Sequence, residues 1–234
     1  MYRALSSLLF VKMLMLALPT AADRPDDEPI DIEADRGRYD GAVGATHLSG
    51  NIRIARGELE VHADDGYAHQ GVDRSYERIE LEGSPATWRG VDEEGEEIRG
   101  QARRIVLELP GNQISMIDEV RIDRVDLAVN ADSGQAFQID GLYQRIELEG
   151  KPASWQITTA DGERVEGQSE RIIYHLIDKQ VVMIGDARVH EPRGSFSGQR
   201  LLYDMQTQAT EGEGRIHMVI EPEARDELPN EGLE

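Results

Sequence analysis

Displaced by 67 residues, the chain matches itself. Tyr76-Glu-Arg-Ile-Glu-Leu-Glu-Gly-Ser-Pro-Ala-Thr-Trp88 falls on Tyr143-Gln-Arg-Ile-Glu-Leu-Glu-Gly-Lys-Pro-Ala-Ser-Trp155, and the register continues without a gap to Arg121 and Arg188. Between 76–122 and 143–189, 21 of 47 positions are identical, more than shared strand composition would produce. At an offset of 68, residues 51–68 match 119–136 at nine of 18 positions. A partial third copy begins where Gly185-Asp186-Ala-Arg-Val189 resembles Gly50-Asn51-Ile-Arg-Ile54. The repeat units are therefore 51–118 and 119–185, with a partial unit at 186–221. A chain repeating at this length is expected to stack its units, each covering the apolar face of its neighbour, so that one core runs along the stack.

Within the units apolar residues recur at every second position, as in Leu59-Glu60-Val61-His62-Ala63, Ile79-Glu80-Leu81-Glu82 and Ile146-Glu147-Leu148-Glu149. Strict alternation sends apolar side chains to one sheet face and charges to the other, the pattern of half-buried antiparallel strands. Gly, Asn and Asp interrupt it at short intervals, at Gly50-Asn51, Pro110-Gly111-Asn112, Asp161-Gly162 and Gly185-Asp186, as many short strands require. No helical period is sustained after residue 22. The expectation is an all-β protein.

The two ends depart from this pattern. Residues 1–22 combine a basic start at Arg3, an apolar run and a small-residue end at Thr20-Ala21-Ala22, the order of a secretory signal peptide. The alternative is an uncleaved membrane anchor, but Lys12 breaks the run well short of a span of roughly 18–20 residues. Cleavage after Ala22 is preferred. Residues 23–28 read as a polar linker and 223–234 as a disordered acidic tail. Export of a chain with no Cys suits a bacterial periplasm, where disulfides are permitted but not required.

Composition removes several functions. A formal charge of −21, from 25 Lys+Arg against 46 Asp+Glu, argues against nucleic acid as a partner, since that binding needs cations to neutralise phosphates. The absence of Cys excludes thiolate metal sites and cysteine nucleophiles. The six His are scattered with no metal-ligand spacing, so no cofactor or metal is implied. Ser195 lies in Gly-Ser-Phe-Ser-Gly, which is not a nucleophile elbow and reads as a strand start. Glu80, Glu82, Glu147 and Glu149 alternate with apolar residues and should form a solvated face. The acidic run at 92–97 lacks any calcium-loop pattern and reads as a hairpin tip. No catalytic constellation emerges, and the expectation is a protein that is not an enzyme. The only two Trp, Trp88 and Trp155, stand at matching places in successive units. Each could anchor the core of its own unit, or the two could line a continuous apolar channel suited to acyl chains. Periodicity does not separate these readings.

The ordered motifs Pro29-Ile30-Asp-Ile32-Glu-Ala34-Asp35, Leu48-Ser-Gly50-Asn51-Ile52-Arg-Ile54, Gly150-Lys-Pro-Ala-Ser-Trp155, Val165-Glu-Gly167, Tyr174-His-Leu176 and Gly198-Gln-Arg-Leu-Leu-Tyr203 resemble those of the OstA-like family of lipopolysaccharide-transport proteins. The resemblance covers roughly 29–222. It implies an open, twisted β-jelly roll in which lipopolysaccharide acyl chains lie between two sheets. It also implies a periplasmic bridge from inner to outer membrane, joined edge to edge. The partners would be an LptC-like inner-membrane protein at the N-terminal edge and an LptD-like outer-membrane protein at the C-terminal edge, with head-to-tail self-association. The positions matching ligand-lining residues are Ile30 and Ile32 at the N-terminal opening, Trp88 and Trp155 after Pro-Ala, and Tyr174 and Leu176 deeper in the groove. Leu107 and Leu109 correspond to the last pair by repeat symmetry. One additional 67-residue unit departs from the family pattern and implies a longer groove within one protomer.

The end strands, around 30–34 and 216–220, hold neither Pro nor Lys and are suited to pairing with a partner's strand. Three rival readings remain: a lipid-free β-repeat adaptor, an LptC-like component of the same pathway, and a polysaccharide hydrolase needing two inward carboxylates.

Overall fold

The computed structural model describes residues 29–92, 94–139, 142–159 and 161–222. The signal peptide, the linker and the acidic tail expected from sequence lie outside the described residues. Among the described residues, fourteen strands form one antiparallel sheet. They are β1 (Asp31–Glu33), β2 (Arg36–Asp40), β3 (Ala45–Arg56), β4 (Leu59–Gln70), β5 (Tyr76–Val91), β6 (Glu97–Glu108) and β7 (Gln113–Arg124). The second half comprises β8 (Leu127–Ile139), β9 (Leu142–Thr158), β10 (Arg164–His175), β11 (Gln180–Glu191), β12 (Gly194–Asp204), β13 (Ala209–Glu213) and β14 (His217–Ile220). From β3 to β13 each strand pairs with the next in sequence, while β1 and β2 both pair with β3, and β13 and β14 both pair with β12. A 3-10 turn, Leu109–Gly111, joins β6 to β7. The open, twisted, all-β jelly roll expected from the sequence is what the chain forms, with next-neighbour antiparallel pairing from β2 to β13.

Each long strand is broken near its middle by a register shift, for example between Ser49 and Ile52, Ile117 and Val120, and Ile184 and Ala187. A bulge bends the strand and raises its twist. Because every strand from β3 to β12 bends at the same level, the sheet doubles over into two facing layers. The first layer contains β1, β14, the C-terminal halves of β3, β5, β7, β9 and β11, and the N-terminal halves of the even strands β4 to β12. The second layer contains β2, β13 and the complementary halves. The corners follow the repeat: Gly50-Asn51, Asp118-Glu119 and Gly185-Asp186 all have positive φ, from 44° to 82°. Glycine takes this conformation without steric cost and Asp or Glu does not, so the middle corner is the least favourable of the three.

The corners also switch the inward parity. On β9 the buried side chains include Tyr143, Ile146 and Leu148 before the corner, and Ala153, Trp155 and Ile157 after it, so that the even inward positions 146 and 148 give way to the odd positions 153, 155 and 157. Inward residues of both layers merge into one apolar cluster extending from Leu48 to Tyr203. The acidic face is more structured than a merely solvated one. Glu80 bonds Arg78 and Arg104, and Glu147 bonds Arg145 and Arg171.

Candidate functional site

The interior is built around two copies of one arrangement. Trp88 on β5 faces Gly100 on β6, and Trp155 on β9 faces Gly167 on β10. A Cβ on Gly100 would lie 2.0 Å from the Trp88 Nε1, and one on Gly167 would lie 2.2 Å from the Trp155 Nε1. Absence of a side chain on the neighbouring strand therefore lets each indole lie flat against the sheet. Each indole N–H then donates across the interior to a methionine of the second layer, Trp88 to Met116 Sδ at 3.1 Å and Trp155 to Met183 Sδ at 3.2 Å. A tyrosine of the second layer packs on each indole, Tyr143 on Trp88 with ring centroids 5.0 Å apart and Tyr203 on Trp155 at 5.2 Å. Burial pushes the Tyr143 hydroxyl well above its ordinary range and the Tyr203 hydroxyl up to about 12, so both are neutral donors.

Both sets of hairpin tips lie opposite the corners, and this long side is where the layers could part. Near the N-terminal end it carries a cavity of about 250 Å³, lined by Ile30, Ile54, Leu59, Leu107, Leu109 and Leu142 and rimmed by Arg56 and Glu58. Arg56 of the first layer donates to Asn112 Oδ1 of the second at 3.3 Å. One repeat further on, at matching positions, the contact is stronger. Arg124 Nε lies 2.9 Å from Asp92 Oδ2, its Nη2 lies 2.8 Å from Glu94 Oε2, and its Nη1 donates to the Tyr174 hydroxyl at 3.1 Å. Lys179 of the second layer reaches Glu94 at 2.6 Å. Burial opposes the Arg124 charge, but the Tyr174 hydroxyl, Asp126 and Asp92 outweigh it and its pKa rises. The Lys179 ammonium, opposed by desolvation, holds Glu94 below the usual carboxylate range. This cluster clasps the two layers at their open side.

The eight positions expected to line a groove are brought to one interior. Trp88, Leu107, Trp155, Tyr174 and Leu176 are buried, and Ile30, Ile32 and Leu109 pack partly buried against the same cluster. Ile30, Leu107 and Leu109 meet at the cavity. The Tyr174 ring is buried, yet its hydroxyl belongs to the clasp at the open side. Asp92 lies in the hairpin tip between β5 and β6, as read from sequence, yet it is 3% exposed, because it binds Arg124 and accepts the Glu94 and Glu96 N–H groups at 2.9 Å. Sequence reasoning missed Tyr143, Tyr203 and Arg124. The match of Arg56 with Arg124 in the 68-residue register was the available signal for the last. A larger hollow of about 790 Å³ is lined mostly by polar residues of the first layer such as Asn130, Gln156, Gln168 and Arg188, with Trp155, Val189 and Phe196 also in its lining.

At the two ends of the sheet, β1 with β2 and β13 with β14 leave one backbone edge unpaired. On β14 the side chains of Met218, Val219 and Ile220 are 53%, 42% and 51% exposed. No helix among the described residues is long and apolar enough to cross a membrane.

A two-layer, unclosed β protein of internal repeats, with a shared apolar interior and free strands at both ends, is the class the fold and site define. The chain belongs to the family described as LptA/(LptD N-terminal domain) LPS transport protein, whose model matches residues 31–133 and, again, 112–209. The two matches overlap over residues 112–133. Among curated proteins the chain is similar to the lipopolysaccharide export system protein LptA of Haemophilus influenzae, 22% identical over 66% of this chain and 90% of that one. It is also similar to the protein of that name from Escherichia coli K12, 25% identical over 54% of this chain and 71% of the other. Among solved structures it aligns with LptH, the LptA homologous periplasmic component of the lipopolysaccharide transport device from Pseudomonas aeruginosa. That alignment has 16% identity and a TM-score of 0.32 and covers 85% of this chain and 99% of the other. A likeness of that size adds nothing to the family assignment.

Proposed function

We propose that the protein carries lipopolysaccharide through the periplasm, with the acyl chains held between the two layers and the sugar and phosphate groups outside. The supporting observation is the uninterrupted apolar cluster from Leu48 to Tyr203 beside a mouth floored by Ile30, Leu107 and Leu109. Each CH₂ moved from water into such an interior contributes about 0.8 kcal/mol, which offsets repulsion between an acidic protein and an anionic glycolipid. Loading parts the layers along their open side, where the Arg124 cluster and the Arg56–Asn112 contact hold them. The 67-residue duplication lengthens the groove within one protomer. An LptC-like inner-membrane protein pairs at the β1–β2 edge, an LptD-like outer-membrane protein pairs at the β13–β14 edge, and copies associate head to tail by the same backbone pairing. Residues 1–22 direct export and are removed.

Photo-crosslinking groups placed at positions 30, 88, 155 and 174 test the groove. Lipopolysaccharide should label from these and not from outward Glu80 or Glu147. Equal labelling from both sets rejects the interior as its site. The close packing of Trp88 and Trp155 favours a second reading, a β-repeat adaptor that holds no lipid. Mass spectrometry of protein purified from its native envelope separates the two, since the adaptor carries no co-purifying glycolipid.

A further inference from the structure

Tyr143 and Tyr203 are both 0% exposed, and neither hydroxyl has a hydrogen-bond partner among the described residues. Leaving one buried hydroxyl unpaired is costly, and proteins pair the large majority of such groups. Here the cost is incurred twice, in the same setting, against the indole of Trp88 and against that of Trp155. Duplication does not account for the recurrence. The residue one repeat beyond Tyr143 is Thr210, and the residue one repeat before Tyr203 is Ala136. The first tyrosine comes from the N-terminal half of β9 and the second from the C-terminal half of β12. Two inequivalent positions have thus arrived at the same ring pair, where phenylalanine would fill the same space without an unsatisfied group.

Hydrocarbon chains offer nothing for such a donor to bond. The linkages that join fatty chains to a sugar do, because every ester or amide there carries a carbonyl oxygen. We propose that the Tyr143 and Tyr203 hydroxyls are specificity-determining donors that bond acyl-linkage carbonyls of a glycolipid held between the layers. The inference rests on the lipid-carrier reading and adds which chemistry the interior selects: acylated lipids over alkyl chains of equal length without a carbonyl. The two donors come from β9 and β12 of the second layer, so a single multi-chain ligand or two successive ligands can engage them.

The test uses the full mature chain and three variants, Tyr143→Phe, Tyr203→Phe and the double substitution. In urea, without lipid, each single variant should unfold at a higher midpoint than the parent, since an unsatisfied hydroxyl is removed and the ring kept. Binding is then measured with purified lipopolysaccharide and with dodecyl maltoside, whose alkyl chain is joined through a glycosidic oxygen and carries no carbonyl. Each substitution should weaken lipopolysaccharide binding about fivefold and leave dodecyl maltoside binding unchanged. A lower unfolding midpoint overturns the inference, because the hydroxyl then has a partner such as a bound water. A higher midpoint with unchanged lipopolysaccharide affinity also overturns it. Failure of the parent protein itself to bind lipopolysaccharide rejects the carrier reading and, with it, this one. Loss confined to the Phe variants cannot arise that way.

Discussion

Gly167→Ala should destabilise the protein, although the local backbone argues the opposite. Gly167 lies within β10 and its φ is not in the left-handed region, so alanine there would ordinarily gain about 0.5–1 kcal/mol over glycine. The tertiary packing reverses the sign. An added Cβ would sit 2.2, 2.3 and 2.6 Å from the Nε1, Cε2 and Cζ2 atoms of Trp155, whereas carbon atoms pack at about 3.5–4.0 Å. The indole must withdraw by more than about 1 Å, yet it is held by its bond to Met183 at 3.2 Å and by the ring of Tyr203. Overpacking of this kind costs about 1–3 kcal/mol, and contacts this short belong to the upper part of that range, about 2–3 kcal/mol, so after the alanine gain the net loss is about 1–2 kcal/mol. For a folded chain of this size that lowers the Tm by roughly 2–8 °C. Thermal and urea unfolding followed by circular dichroism measure it, with tryptophan emission reporting the shifted indole. Trp155→Leu removes the obstructing ring, so the double variant should be less destabilised than the sum of the singles by about 1 kcal/mol. A Gly167→Ala protein as stable as its parent, or strict additivity with Trp155→Leu, would refute the packing argument. Gly100→Ala should behave alike against Trp88.

Other perturbations read other parts of the molecule. Arg124→Leu leaves Asp92 buried without its partner and should cost about 3–5 kcal/mol in urea unfolding. Arg124→Lys should recover only part of this, as an ammonium does not span Asp92, Glu94 and the Tyr174 hydroxyl together. Glu60 is held down from 4.5 to about 2 by hydrogen bonds from Arg53 and Arg89. A depressed carboxylate stabilises fully above its unfolded value and loses that contribution as pH falls. Glu60→Gln should therefore flatten the decline in Tm between about pH 4.5 and 2, and an unchanged slope counts against the Arg53–Glu60–Arg89 bonds. Asp118→Gly places at the middle corner the residue found at Gly50 and Gly185. It should raise stability by about 0.5–1 kcal/mol, the left-handed penalty less the added chain entropy, and a lower Tm would contradict the steric reading of φ 62°.

How much of this was legible from residues alone follows from the range of each interaction. Period-two alternation is a property of neighbouring residues, so Ile79/Leu81 and Ile146/Leu148 declared their inward face, and the 67-residue register declared that Trp88 and Trp155 share a role. The family resemblance implied one shared interior for Ile30, Ile32, Tyr174 and Leu176, and repeat symmetry added Leu107 and Leu109. Strands β2 and β13 went unnoticed because Arg36–Asp40 and Ala209–Glu213 bury nothing on either face and owe their conformation wholly to pairing with β3 and β12. The corners were visible as Gly-Asn and Gly-Asp pairs but read as turns, since a bulge within a strand and a turn between strands use the same residues.

The sequence by itself determined an all-β stack of repeats with its charges outward, because alternation and duplication are local and additive. Only the tertiary structure decided which residues meet across the interior. Asp92 is a buried partner of Arg124, Gly167 is room for an indole, and Tyr143 and Tyr203 converge on equivalent tryptophans from inequivalent positions. Those outcomes depend on how far each strand bends at its corner and which strand it then faces, quantities that no single stretch of sequence contains.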